Sequence, residues 1–195
     1  MPLKKIKISL FFTYLSIWVY LSIDPLFFDD WLLENLLVFV AVPLILIFNK
    51  KYNFSLESSI YLFVFMSLHA VGSHYTYSHM PFFNELKEAF GFDRNYYDRI
   101  VHFLFGYLIF IPLMELLLKN GIKKSIAIWF AFFMIVSFSA FYEIVEWLAT
   151  EVTNPDLGIA FLGAQGDVWD AQKDSALAIC GSVLGIMRGI YVKNR

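Results

Sequence analysis

Cysteine is nearly absent: the chain has one, Cys180, set in an apolar run, which excludes an internal disulfide and leaves the redox compartment unread. Charge is also scarce, at 16% of residues against about 25% in a typical soluble domain. The net charge of −2, with no basic stripe and no zinc-finger spacing, argues against a nucleic-acid partner. There is no phosphate-cradling glycine loop, no nucleophile elbow and no HExxH pair. No internal repeat or low-complexity tract breaks the chain, so one integral membrane domain over residues 1–195 is expected. Small residues suited to signal cleavage are missing after the first apolar run, where Tyr20-Leu21-Ser22-Ile23-Asp24-Pro25 stands. A retained first helix is therefore expected.

Apolar residues make up 59% of the chain. A bilayer-crossing helix needs roughly 20 of them in succession. Six segments qualify, about 6–23, 31–48, 57–75, 99–118, 124–148 and 174–192. The fold class is all-α, a polytopic transmembrane bundle. The third span is the weakest, diluted by Ser67, His69 and Ser73, and Pro43 and Pro112 interrupt two others. With six spans, Lys4, Lys5, Lys7, Lys50, Lys51, Lys119, Lys123, Lys124, Arg188, Lys193 and Arg195 share one side, 11 of the 15 basic residues. The positive-inside rule makes that side cytoplasmic, with both termini on it. Between the third and fourth spans, Phe82, Phe83, Leu86 and Phe90 share a helical face, with Pro81 at the start and Gly91 at the stop. This reads as a short helix on the outer membrane surface.

The acidic residues gather opposite: only Glu57 and Glu115 of 17 fall near cytoplasmic ends. Ionisable groups bordering the membrane are costly and usually functional. Asp98 and His102, four apart at the start of the fourth span, share a face and can pair or ligate a metal. The plain alternative for Asp98 is a helix cap. Glu143 and Glu146 sit three apart at a helix C-terminus, where two anions repel each other and the helix dipole. A cation, a shared proton or Arg99 would relieve them. Asp167, Asp170 and Asp174 line one face if the last helix begins early. Capping alone accounts for one of these carboxylates, not three. His69 lies about 9 Å inside the third span, and His74 follows at its end. In the last helix, Gly181, Gly185 and Gly189 make a small-residue face for a helix partner. Glu115 and Lys119 read as a structural i,i+4 pair.

These segments resemble the YjdF-like family of bacterial inner-membrane proteins. The likeness rests on His69-Ala70-Val71-Gly72-Ser73-His74-Tyr75-Thr76-Tyr77, on Tyr97-Asp98-Arg99-Ile100-Val101-His102-Phe103 with Gly106, on Glu143 to Trp147, and on Gly163 to Asp174. The family's function is unknown, so the resemblance implies a multi-pass protein of the cytoplasmic (inner) membrane and no reaction. A weaker likeness to VanZ-like membrane proteins rests on the acid-basic-x-x-His order, the late Glu in the next helix and the Asp-led last helix. Glu146 departs from that pattern, where Gln is commoner, as does the lack of an Asn after the last helix's Asp. That link would imply cell-envelope biology.

The reading that follows is a site at the outer mouth of the bundle. His69, His74, His102, Glu143, Glu146, Asp167, Asp170 and Asp174 are the candidate ligands of a divalent metal. Glu143, His102, Asp98 and Arg99 are the candidate catalytic groups, with Glu143 or His102 the base. The expected partners are membrane lipids and a lipid-linked or envelope substrate. The rivals are a proton- or cation-coupled transporter and a non-catalytic membrane scaffold.

Overall fold

The computed structural model describes residues 3–152 and 163–191. All regular structure in them is α-helical: α1 (Leu3–Leu21), α2 (Phe28–Tyr52), α3 (Leu56–His74), α4 (Pro81–Phe90), α5 (Tyr97–Lys119), α6 (Lys124–Val152) and α7 (Asp170–Tyr191). Four of these, α2, α3, α5 and α6, are long and apolar enough to cross a membrane. α1 and α7 fall short through the charges at their ends, Lys4, Lys5 and Lys7 in α1 and Asp170, Lys173, Asp174 and Arg188 in α7. Lys193, Arg195 and most of the expected loop after α6 lie outside the described residues.

Local chemistry sets the helix ends. α2 starts three residues earlier than the sequence suggests, with Asp29 and Asp30 in its first turn, where the dipole favours anions. α7 also starts early. The Asp167 side chain accepts the Trp169 N–H at 3.1 Å and its carbonyl accepts that of Asp170 at 3.2 Å, so Asp167 caps the helix and Asp170 falls inside it. Ser55 caps α3 through the Ser58 N–H. α4 runs from Pro81 to Phe90 and stops at Gly91, which adopts φ +65°. Its Phe83 packs edge-on against Tyr97, while Phe82 and Phe90 stay exposed.

α5 is the central helix, packed on α3, α6 and α7, with α1 and α2 against α3. The α5–α7 contact is the closest. A Cβ on Gly106 would stand 1.9 Å from the Ala178 carbonyl oxygen, and one on Gly181 would stand 2.0 Å from that of Phe103. The two backbones therefore touch, as small residues allow between membrane helices. Further along, Gly185 lies on the Phe110 ring and Gly189 on Met114. The glycine face is thus filled from within this chain. This crossing sets how far the first turns of α5 and α7 stand apart.

Candidate functional site

The start of α5, the start of α7 and the last turns of α6 lie at the same end of the bundle, and their polar residues meet there. Arg99 is the hub. Its Nη2 donates to Asp170 Oδ1 at 2.5 Å and to Asp167 Oδ2 at 3.0 Å, and its Nη1 donates to the Asp170 carbonyl at 3.0 Å. The same Nη1 lies 3.0 Å from Asp174 Oδ1, without hydrogen-bond alignment. Arg94 donates to Asp170 from the other side and lies 3.8 Å from Asp167 and 4.0 Å from Asp98. Both arginines are buried, and buried charges persist only when paired. At the rim, Lys173 donates to Asp167 Oδ2 at 2.6 Å. That ammonium, followed by the Trp169 N–H, holds the Asp167 carboxyl below its usual pKa.

Beneath this ion-pair layer lies His102. Its Nε2 is 3.5 Å from Asp98 Oδ1 and its Nδ1 is 3.6 Å from Glu143 Oε1. Ligand atoms of Asp98, His102 and Asp174 all fall within 4.8 Å of one another. A small divalent ion at about 2.0–2.2 Å from each ligand spaces them up to about 4.4 Å apart, and calcium at about 2.3–2.6 Å reaches about 5 Å. Glu143 Oε1 and Asp174 Oδ1 are buried and have no hydrogen-bond donor. The Glu143 oxygen calls for a cation or a proton, while Asp174 Oδ1 already faces the Arg99 guanidinium at 3.0 Å. A polar cleft of about 270 Å³, walled by Arg94, Gln165, Asp167 and Lys173, opens on the ion-pair layer.

The structure adds residues that the sequence reading passed over. Asp30 and Glu34 on α2 are buried at this end. Glu34 Oε2 accepts from the Tyr142 hydroxyl at 2.8 Å, and both carboxylate oxygens of Asp30 lack a donor. Their i,i+4 spacing matches that of Asp98 and His102 and was a readable signal. Asn95, fully buried, joins the loops: Gln165 accepts its N–H at 2.9 Å and donates to its carbonyl at 3.0 Å, while its side chain donates to Met80 and Asn84. No spacing rule singles it out. Seven acids from α2, α5, α6 and α7 (Asp30, Glu34, Asp98, Glu143, Glu146, Asp170 and Asp174) are thus wholly or largely buried at the end that holds Arg94, Arg99 and His102.

Two expected ligands do not join the group. His69 is buried, but its Nε2 is 3.1 Å from the Glu34 carbonyl and its Nδ1 is 2.5 Å from the Tyr77 hydroxyl. With Nε2–H donating, Nδ1 must accept from Tyr77, so the ring pins α3 to α2 and has no lone pair to offer. Gly72 makes room for this, since a Cβ there would stand 2.5 Å from the Tyr77 ring. His74 contacts the Leu21 carbonyl through Nδ1 at 2.8 Å and ties α3 to the end of α1. Asp167 and Asp170 are engaged by the arginines, and Glu146 is buried one turn beyond Glu143.

The chain is 32% identical over 164 residues to the inner membrane protein YjdF of Escherichia coli (strain K12), covering 80% of this chain and 76% of that protein. No solved structure matches the chain. Residues 6–195 match the family described as Predicted membrane protein (DUF2238), and the chain is a multi-pass membrane protein belonging to that family.

Proposed function

We propose that the chain is a bacterial inner-membrane protein with six spans and cytoplasmic termini, whose acidic end faces away from the cytosol and holds a divalent cation used on a lipid-linked or envelope substrate. The charge distribution supports the orientation, with Lys4, Lys5, Lys7, Lys50, Lys51, Lys119, Lys123 and Lys124 all at the other end. The name of the Escherichia coli relative supports the membrane.

The observation that carries the site is the Asp98–His102–Asp174 group beside the unpaired Glu143 oxygen. His102 turns Nε2 toward Asp98 at 3.5 Å and Nδ1 toward Glu143 at 3.6 Å, so a ligating imidazole would be flanked by both carboxylates. His102 is then a ligand and Glu143 the proton acceptor. A bound cation would supply Lewis acidity for attack on an ester or phosphoester. Arg94 and Arg99 neutralise Asp167 and Asp170 and keep the mouth compatible with an anionic head group.

Transport is the weaker reading. Below His102, α5 presents Phe110, Ile111 and Met114, all buried, and carries no charged residue before Glu115. Metal analysis of purified protein tests the proposal. About one divalent ion per chain is expected in wild type and none in His102→Ala or Asp174→Asn. A carefully prepared wild type without metal, and unable to take it up, would overturn the metal reading.

A further inference from the structure

The opposite end of the bundle carries an independent feature. α1 and α2 meet in the half nearer the acidic end, where Trp18 donates to Asn35 Oδ1 at 2.6 Å and packs against Trp31 and Phe39. In the other half, an apolar cavity of about 90 Å³ lies between them on α3, partly open to the bundle surface. Leu10, Phe11 and Tyr14 form one wall, Ile45 and Leu46 another, and Phe63 and Met66 the floor. From Lys7 to Tyr14 the recess follows about 10 Å of helix at 1.5 Å per residue. Tyr14 lines this space, and its hydroxyl is buried and without a partner. A lone hydroxyl does not hold water, which needs about two to four polar partners.

The mouth is basic. Lys7 lines it and donates to Asn53 Oδ1 at 2.9 Å and to the Phe54 carbonyl, leaving one of its three N–H bonds. Lys4 is one turn earlier on the same face of α1, and Lys50 lies four residues past Leu46 on α2. The acids at this end are already engaged: Glu115 by Lys119, Ser55 and Ser58, and Glu57 by Arg188.

We infer that this recess binds one anionic phospholipid, an acyl chain lying along Leu10 and Tyr14 and the phosphate held by Lys4, Lys7 and Lys50. An acyl chain meets the apolar walls, a lipid ester or hydroxyl oxygen accepts from Tyr14, and the head-group charge matches the lysines. The site needs no metal and does not depend on the reading of the acidic end.

Native mass spectrometry of protein taken from nanodiscs of equal phosphatidylglycerol and phosphatidylcholine tests it. One phosphatidylglycerol is expected to survive delipidation, with phosphatidylcholine retained at least tenfold less. The Lys4→Gln/Lys50→Gln double variant changes two exposed residues and is expected to lose that preference. Ser59→Phe, which fills the recess, is expected to lose the lipid. Lys87→Gln on α4 serves as the unchanged control. Equal retention of the two lipids, or wild-type retention in both the lysine and Ser59 variants, would overturn the inference.

Discussion

At the residue scale, Arg99 is the most consequential side chain. Its guanidinium contacts Asp167, Asp170 and Asp174 at 2.5–3.0 Å. Arg99→Leu would leave buried Asp174 without its cation and Asp170 with Arg94 alone, at a cost of about 3–5 kcal/mol. Thermal unfolding in detergent should show that loss. Arg99→Lys should recover little of it, since a point charge cannot span three acids as a planar fork does. Asp167 gives the pH dependence. Its folded pKa is held below the unfolded value of about 3.9, so its contribution is complete above that value and lost as pH falls through the depressed one. Asp167→Asn should flatten the fall of stability below the unfolded carboxylate value while leaving stability at pH 7 less than that of wild type. An unchanged acid limb of the unfolding curve would count against this role.

At the element scale, the α5–α7 crossing couples packing to chemistry. Gly106 and Gly181 let the backbones touch two turns and less below the level of His102 and Asp174. Gly181→Ala should cost about 1–3 kcal/mol by overpacking. It should also weaken metal uptake by pushing Asp174 away from Asp98, although alanine touches no ligand. Wild-type metal content in a destabilised Gly181→Ala protein would separate the two. The helices were legible because apolar runs, Pro81, Gly91 and the small-residue face are local signals. α2's early start was less so, and with it went Asp30; Glu34 fell inside the expected span but looks like an interfacial acid until Tyr142 of α6 and His69 of α3 are seen against it. His69 misled for the opposite reason. An imidazole's depth can be read from its position in a span, but its partners, a carbonyl on α2 and a tyrosine past Gly72, cannot.

At the scale of the whole molecule, charge is sorted along the bundle axis, with lysines at one end and buried acids at the other. The proposed topology, six spans with cytoplasmic termini, rests on that asymmetry. In a Cys180→Ser background, a cysteine at Glu88 on α4 should react with an impermeant maleimide in intact cells, and one at Lys51 only after lysis. Labelling at both sites in intact cells would contradict the topology. The proposed cation site is Asp98, His102 and Asp174. Titration of Co²⁺ into chelator-stripped protein, followed by its visible absorption, tests this directly. One saturable equivalent is predicted for wild type and for Glu115→Gln, and none for His102→Ala or Asp174→Asn. A spectrum that never saturates, or that is unchanged in those two variants, would contradict it.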